Sequence, residues 1–309
     1  MSVAVRVDVL SRRSSVELAR DYIALTKPRV IVLLELTTLA SMVMAARGWP
    51  GWNLVIATLG GGWLAASGAN AINCWFDRDI DATMQRTRSR PLPAGRIEPR
   101  NALAFGVFLG AVSFLLLAVA VNLLAAALAL TALLFYVTVY TAWLKRSSIQ
   151  NIVIGGAAGA IPPLVGWAAV QGRLDLTAAF LFAIVFYWTP PHFWALSLLV
   201  RSDYERARVP MMPVVAGDRR TRQQIVLYTL ILCIVTVLPI LTRSFGYVYA
   251  VGALALDALL VVDSVRVVRD PSARSARRLF YHSLSYLALL FAVMALDRVV
   301  LGIANGGSV

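Results

Sequence analysis

The sequence predicts an all-α membrane protein, a polytopic bundle of nine transmembrane helices around a central cavity that opens at the cytoplasmic side. Three observations predict it: 59% of the 309 residues are hydrophobic, long apolar runs recur along the chain, and Lys and Arg concentrate between alternate runs. A hydrocarbon core about 30 Å thick needs about 20 apolar residues per helix, which is the length of these runs. Because lipid cannot satisfy exposed backbone groups, continuous apolar runs of this length indicate helices.

The apolar runs also set the domain organisation. Residues 30–309 form one predicted transmembrane domain, and residues 1–29 form a cytoplasmic tail in which Val16 to Leu25 is an amphipathic stretch on the membrane surface. No secretory signal is visible, since the first 29 residues lack an apolar core. The predicted spans are 30–46, 54–76, 102–121, 124–143, 151–170, 178–200, 224–242, 246–265 and 280–302.

Charge predicts the orientation of the chain. Of the 29 Lys and Arg, all but Arg47, Arg173, Arg243 and Arg298 fall in the N-terminal tail and in the loops after the second, fourth, sixth and eighth spans. Cytoplasmic loops carry such an excess, so the N-terminus is predicted inside and the C-terminus outside. Topology and anionic lipid therefore explain the net charge of +13, and nucleic acid is not indicated as a partner. The two cysteines are far apart in sequence and indicate neither a disulfide nor a zinc site.

The first two spans carry few polar residues. The first follows Pro28, a residue that suits a helix start. Glu35 lies about two turns inside it, and a role as a partner for a neighbouring helix is favoured over a cavity-lining role. The second span carries Gly60-Gly61-Gly62 and the small residues 65–69. Small residues let helices approach closely, so this span is predicted to lie deep in the bundle.

Polar residues gather where the second span ends. If the helix continues to Asp81, then Asn73, Asp77 and Asp81 are turned by only about 40° from one to the next and line one face. Asn70 precedes them, and Asp79 points elsewhere. Two carboxylates about 6 Å apart along the helix, with an amide beside them, suit Mg²⁺, which takes oxygen ligands and shares them with substrate phosphates.

Arginines follow these acidic residues directly. Arg86, Arg88, Arg90 and Arg96 offer forked donors for an anion with several oxygens. A metal site beside such donors indicates a diphosphate. The simpler alternative is a polar helix end followed by an ordinary basic cytoplasmic loop. The Asn and Asp side chains together favour a site, because such groups at membrane depth are costly unless they are paired or functional.

A second polar group ends the fourth span. Tyr140 taken alone fits an interfacial aromatic belt. Tyr136 lies four residues before it, however, and Lys145, Arg146 and Asn151 follow at the same predicted level. Together these side chains are predicted to form a second wall for the anion.

Prolines occur at membrane depth in the fifth and sixth spans. Such prolines are tolerated where protein covers the backbone or a cavity lies beside it, so Pro162-Pro163 predict a kink with open space. His192 follows Pro190-Pro191 and is either a hydrogen-bonded core residue or a site residue. Asp203 reaches the cytoplasmic level of Asp77 and is predicted to be a further metal contact.

The last third of the chain is poorer in candidates. The loop 203–223 adds five arginines that could close over a bound anion. In the seventh to ninth spans the ionisable residues Asp257, Asp263, His282 and Asp297 stand out singly. No chemistry is assigned to them.

With these residues in hand, the chain resembles the UbiA superfamily of intramembrane prenyltransferases. The superfamily's first motif, Asn-x-x-x-Asp-x-x-x-Asp, is matched by Asn73, Asp77 and Asp81. Residues 25–30, 143–146, 151–156, 190–196 and 203–204 look like the haem-specific subgroup. One departure is that Asp203 has no Asp four residues before or after it, whereas the superfamily often shows Asp-x-x-x-Asp there. The number of metal ions therefore stays open.

The resemblance implies a reaction and its site residues. Farnesyl diphosphate is the implied donor and haem B the implied acceptor, with water adding to give haem O. Mg²⁺ is the implied cofactor, held by Asp77, Asp81 and Asp203, with Asn73 orienting a ligand or the metal. His192 is the candidate for orienting haem, as an iron ligand or otherwise. The other implied substrate-binding residues are Asn70, Arg86, Arg90, Tyr140, Lys145, Arg146 and Asn151.

The resemblance also implies surroundings for this reaction. The site would face the cytoplasm from a bacterial plasma membrane, in contact with lipid. Haem is poorly soluble, so hand-over of the product to a haem A synthase or a terminal oxidase is plausible. No residue in the sequence shows such a partner.

Two other functions compete with this one. The first is the same fold prenylating an aromatic acid or a quinone precursor. The second is a cation-coupled transporter that uses Glu35, Asp77, Asp81 and Asp257 as ion sites. Clustering of acids with arginines at one face favours an anion bound through a metal over an ion path.

Overall fold

The computed structural model describes residues 14–304, with side chains to residue 301, and contains helices and loops without a strand in that part. The predicted tail before Ser14 lies outside the described residues. Nine of the described helices are long and apolar enough to cross a membrane, which confirms the predicted number. They are Pro28–Ala46, Trp52–Phe76, Pro99–Ala120, Leu123–Ser147, Asn151–Gln171, Leu176–Leu199, Gly217–Leu241, Tyr247–Arg269 and Ala273–Ala304.

Two helix starts differ clearly from the prediction. The seventh span begins at Gly217 rather than at 224, and the ninth begins at Ala273 rather than at 280. Both added segments are rich in arginine, a good helix former that hydropathy excludes from a membrane span. The helices therefore continue beyond the apolar run into the polar interface.

The amphipathic stretch of the tail forms a helix, Ser15–Thr26. Ser14 and Glu17 begin it with a reciprocal capping box, in which each side chain accepts a hydrogen bond from the other residue's N–H. Asp21 forms an ion pair with Arg96 at 2.9 Å, which fixes this helix to the loop after the second span.

The second span packs backbone to backbone against the third. A Cβ on Gly68 would lie 2.7 Å from the carbonyl oxygen of Gly106, and one on Gly106 would lie 2.9 Å from that of Gly68. Only glycine allows this approach without displacing a helix. More than half of the second span's most apolar window is buried, against 28% for the third, which supports its predicted deep position.

The fifth span is interrupted as predicted. It consists of two helices, Asn151–Ala160 and Pro162–Gln171, on either side of Ile161. Hydroxyl groups of the first span bond the carbonyls at the break, and the contact from Ser41 Oγ to the Pro163 carbonyl measures 2.6 Å. These hydroxyl groups therefore tie the first span to the start of the second half of the fifth span.

The spans close into a bundle with its polar ends together. The first span contacts the second, fifth and ninth, and the sixth contacts the fifth, seventh and ninth. Lys145 at the end of the fourth span reaches Asp77, and Asp203 beyond the sixth span reaches the backbone of Gln85. The segments after the second, fourth and sixth spans therefore meet at one end, which the charge pattern predicts to be cytoplasmic.

Candidate active site

The site is built on the end of the second span. The helix ends at Phe76, Asp77 has φ −85° and ψ 3°, and a short helix, Arg78–Thr83, follows. Helical hydrogen bonds run through this junction, because the Asp77 N–H donates to the Asn73 carbonyl at 2.9 Å and the Asp81 N–H to the Asp77 carbonyl at 2.7 Å. The three polar side chains therefore stand on successive turns, and none is more than 3% exposed.

The Asp77 carboxylate lies in a buried polar network. Its Oδ2 accepts hydrogen bonds from Lys145 Nζ and, at 2.8 Å, from Asn73 Nδ2. Asn73 Nδ2 also donates to Thr141 Oγ1 at 3.0 Å, while its Oδ1 accepts from Lys27 Nζ at 2.6 Å. Asp77 Oδ1 is buried and has no hydrogen-bond partner among the described residues. Such an acceptor costs free energy unless a ligand satisfies it.

Asp81 is held by the loop that follows it. Its Oδ2 pairs with Arg90 Nη1 at 2.7 Å, and its backbone carbonyl accepts a hydrogen bond from Thr87 Oγ1 at 3.0 Å. The arginine-rich loop thus folds back over the acidic helix end and places a guanidinium beside the second carboxylate of the motif.

This donor set fits a hard divalent cation. Asn73, Asp77 and Asp81 supply amide and carboxylate oxygens, the ligands that Mg²⁺ prefers, and no described residue bonds Asp77 Oδ1. No group of three or more His, Cys, Asp or Glu side chains within the described residues is placed to hold a metal. Two carboxylates would leave positions for water and substrate phosphate, as is usual for Mg²⁺.

Lys145 and Arg146 are neighbours in sequence but reach different carboxylates. Arg146 makes two hydrogen bonds of 2.7 Å to Asp79 and one of 2.7 Å to the Phe76 carbonyl. Its side-chain hydrogen bonds lower the pKa of Asp79 to about 2. Because the Asp79 side chain is 63% exposed, Arg146 secures the outside of the helix junction while Lys145 enters the buried network. A role for Arg146 in anion binding stays a prediction.

Asp203 joins the loop after the sixth span to the loop after the second. Its Oδ1 accepts hydrogen bonds from the Gln85 N–H at 3.0 Å and from Arg206, and its Oδ2 accepts from the Arg86 N–H at 3.3 Å. Burial raises the pKa of this carboxyl, but the three hydrogen bonds outweigh it, so the pKa lies below its ordinary value. The predicted metal contact of Asp203 stays a prediction.

Tyr140 lies in a π-helical part of the fourth span. Residues Phe135–Leu144 form a π-helix, a rare form that often marks functional sites. Tyr140 stacks on Tyr136 with ring centroids 5.3 Å apart. Its ring also fills the place that a Cβ on Gly155 would occupy. Tyr140 therefore packs against the fifth span, whereas Tyr136 packs against the cluster that includes Ala69 and Ile72 of the second span.

Asn70 and Asn151 tie other segments to the site. Asn70 Nδ2 donates to the Thr26 carbonyl at 2.9 Å, where the N-terminal helix ends. Asn151 Nδ2 donates to the Pro210 carbonyl at 3.4 Å, and its Oδ1 is buried without a partner in the described part of the chain. The structure thus gives both residues a structural contact, and their substrate contacts stay predictions.

His192 is packed in an aromatic stack between the sixth and ninth spans. Its ring centroid lies 4.5 Å from that of Trp188 and 4.7 Å from that of Phe280. Nδ1 lies 2.8 Å from Ser283 Oγ, and that hydroxyl donates to the Phe280 carbonyl at 2.7 Å. In the tautomer in which Nδ1 donates to Ser283 Oγ, Nε2 keeps its lone pair. A neutral imidazole in this form is able to ligate iron.

Lys27 is the main site residue that sequence reasoning missed. The sequence places it at the headgroups, yet its Nζ bonds Asn73, which lies 46 residues away in sequence. Its backbone φ is +53°, a left-handed conformation that is uncommon for residues other than glycine. A signal was present, because Lys27 belongs to residues 25–30, one of the stretches that carry the family resemblance.

A sequence-family model matches most of the chain. Residues 34–292 match the model described as the UbiA prenyltransferase family. A protein of Symbiobacterium thermophilum named "Protoheme IX farnesyltransferase" is 54% identical over 288 residues, which cover 93% of this chain and 96% of that protein. A protein of Roseiflexus sp. with the same name is 54% identical over 92% of this chain, but the chain spans only 53% of its length.

Solved structures share the fold at low sequence identity. A digeranylgeranylglyceryl phosphate synthase structure superposes with a TM-score of 0.75 at 17% identity, covering 92% of this chain and 99% of the other. A UbiA homologue from Archaeoglobus fulgidus bound to GPP and Mg²⁺ has a TM-score of 0.64 at 17% identity, covering 89% and 99%.

Proposed function

The chain belongs to the UbiA prenyltransferase family, and from this we propose that it transfers a farnesyl group from farnesyl diphosphate to a vinyl group of haem B, with addition of water, to give haem O. The main support for this function is the buried network of Asn73, Asp77 and Asp81. Lys27, Lys145 and Arg90 donate hydrogen bonds to these three side chains. The names of the 54% identical relatives support farnesyl and haem as the transferred group and acceptor.

The network suits a reaction whose leaving group is a diphosphate. Asp77 and Asp81 would hold Mg²⁺, with Asn73 beside them, and the bound cation would neutralise part of the diphosphate charge. Lys145 and Arg90 pair with these carboxylates in the structure and are placed to donate to phosphate oxygens instead. Their charge would stabilise the diphosphate as negative charge develops on it.

The reaction replaces a carbon–oxygen bond of the donor with a carbon–carbon bond to the acceptor. The bond between the allylic carbon and the diphosphate oxygen breaks, and its electron pair leaves with the diphosphate. A new carbon–carbon bond then forms from the haem vinyl group to the allylic carbon. Water adds to the carbon left electron-poor and loses a proton. Burial of the Asn73–Asp77–Asp81 network would limit access of further water molecules.

His192 is the residue proposed to orient the acceptor haem. His192 is held in an aromatic stack with Nδ1 bonded to Ser283, and the tautomer in which Nδ1 donates leaves Nε2 able to orient haem through iron. Replacing His192 with alanine would then change the haem absorption spectrum and reduce turnover. Unchanged spectra and turnover would remove His192 from the haem site.

The protein is a multi-pass membrane protein by its helices and family. We place its N-terminus and this site at the cytoplasmic face of a bacterial plasma membrane, since the basic residues concentrate at that end. Hand-over of the product to a haem A synthase or terminal oxidase would avoid release of a poorly soluble haem into water.

The test is conversion of haem B by purified protein with farnesyl diphosphate, with and without Mg²⁺, read by product mass. Asp77→Asn is the test variant, and Asp79→Asn is its matched control, because Asp79 lies on the exposed side of the same junction. A farnesylated, hydrated haem should form with wild type and control but not with Asp77→Asn or without metal. Diphosphate release only with an aromatic acid or quinone precursor would change the acceptor, and no diphosphate chemistry would reject the proposal.

A further inference from the structure

We infer that Asp203 is a positioning residue: its carboxylate fixes the start of the arginine-rich loop by binding backbone N–H groups, instead of ligating the metal. The inference rests on the proposed function, since the loop is taken to bind the diphosphate. Asp203 is 7% exposed, and both of its oxygens already accept hydrogen bonds. No partnerless oxygen is found on it, in contrast to Asp77.

The local geometry explains why the loop needs this carboxylate. The short helix ends at Thr83, and Met84 turns into an extended conformation with ψ 132°. A tight turn then begins, in which the N–H groups of Thr87 and Arg88 bond the Met84 carbonyl at 3.2 and 3.0 Å. The N–H groups of Gln85 and Arg86 lie inside this turn and would lack acceptors there. The carboxylate of Asp203, from another segment, supplies acceptors for both N–H groups, as an N-cap side chain does for a helix.

The same turn determines where Arg90 lies. Its backbone N–H bonds the Thr87 carbonyl at 2.9 Å, and its guanidinium reaches Asp81 at 2.7 Å. Asp203 therefore fixes the first residues of the loop in which Arg90, a proposed diphosphate ligand, follows shortly after this turn. Arg206 bonds the same oxygen, Oδ1, that accepts from the Gln85 N–H, and helps to hold the carboxylate in place. Loss of Asp203 should loosen the loop and weaken diphosphate binding without removing a metal ligand.

Gln85 offers a direct probe, because only its backbone takes part. Gln85→Pro removes the N–H that donates to the Asp203 carboxylate. Met84 already has the extended conformation that a residue before proline adopts, so the substitution fits the backbone there. Gln85→Ala keeps the N–H and removes an exposed side chain, so it is the matched control. Asp203→Asn is the complementary variant, since its amide NH₂ would face a group that also donates.

The experiment is trypsin cleavage of the folded, substrate-free protein after the exposed Arg86 and Arg88. Gln85→Pro and Asp203→Asn should be cut about tenfold faster or more than wild type and Gln85→Ala, because the loop opens more often. In turnover assays both should raise the KM for farnesyl diphosphate while kcat and the half-saturating Mg²⁺ concentration stay near wild type. Mn²⁺ titration followed by electron paramagnetic resonance should show wild-type affinity in Asp203→Asn and loss in Asp77→Asn.

Two results would overturn the inference. One is an unchanged cleavage rate in Gln85→Pro, which would show that the N–H contact does not hold the loop. The other is weakened Mn²⁺ binding in Asp203→Asn with normal cleavage, which would make Asp203 a metal ligand. Absence of turnover with farnesyl diphosphate would reject the proposed function but leave the cleavage comparison intact, so the two failures are distinguishable.

Discussion

Buried carboxylates occur in two regions of the bundle, and their partners differ. At the polar end, Asp77 and Asp81 face the flexible basic side chains of Lys145 and Arg90, and Asp77 Oδ1 has no partner in the described residues. In the last three spans, Asp257 accepts from two hydroxyl groups, those of Thr236 and Tyr286, both at 2.6 Å.

Two other acids of the last three spans also have partners, of different kinds. Asp297 accepts from the backbone N–H groups of Gly246 and Tyr249 at 2.7 and 3.0 Å, and so caps the start of the eighth span. Asp263 binds a cluster of Arg266, Arg278 and His282. In the sequence these acids have no polar cluster around them, yet each has hydrogen-bond or ion-pair partners in the fold.

The comparison separates acids that stabilise the fold from acids available for chemistry. Groups that belong to the helices fill the acceptors of Asp257 and Asp297, so a ligand could enter only by breaking the packing. Lysine and arginine side chains can instead turn from a carboxylate to a bound anion while the helices stay in place. Substitutions in the two regions should therefore affect different measurements.

The largest effect is expected at Asp81. Asp81→Asn should lower turnover about 10²- to 10³-fold, because the proposed Mg²⁺ would lose a carboxylate ligand and the developing diphosphate charge would be less well stabilised. The unfolding midpoint in detergent should stay close to that of wild type. A variant that loses stability but keeps its turnover per folded molecule would place Asp81 with the structural acids.

Asp297 should show the opposite pattern. Asp297→Ala leaves two N–H groups at the start of the eighth span without their acceptor, which should cost about 2–3 kcal/mol of unfolding free energy. Turnover per folded molecule should not change. Equilibrium unfolding in mixed detergent measures the first quantity, and Asp297→Asn, which keeps one acceptor oxygen, should recover part of the loss.

A smaller loss of stability is expected at Thr236. Thr236→Val preserves the shape of the side chain but removes a hydroxyl bonded to Asp257, which should cost about 1–2 kcal/mol. The remaining bond from Tyr286 limits the effect. A marked fall in turnover with normal stability would show that Asp257 has a functional role after all.

The smallest effect is expected at Asp79. Its pKa is lowered to about 2, so the stability it contributes is present above its unfolded pKa near 4 and is lost as the pH falls toward 2. Because the side chain is largely exposed, solvent and salt screen the Arg146 pair, and Asp79→Asn should cost under about 0.5 kcal/mol. Unfolding midpoints at pH 7 and pH 3, at low and high salt, measure this contribution.

The sequence by itself determined the membrane fold, the number of spans, the break in the fifth span and the acidic motif. These features depend on hydropathy, on proline chemistry and on residue spacing along one helix, all of which are local. Hydropathy placed the starts of the seventh and ninth spans too late, because it marks where the apolar run begins and not where the helix begins.

Only the tertiary structure decided which partners the polar side chains have. Lys27 and Lys145 bond Asn73 and Asp77 across 46 and 68 residues, and Asp203 bonds Gln85 across 118. Periodicity gives the direction of a side chain around its own helix, but a hydrogen bond of about 3 Å also requires the position and rotation of the neighbouring helix. Those positions follow from packing of the whole bundle, including the Gly68–Gly106 contact. The acidic motif could therefore be predicted from the sequence, whereas its hydrogen-bond partners required the tertiary structure.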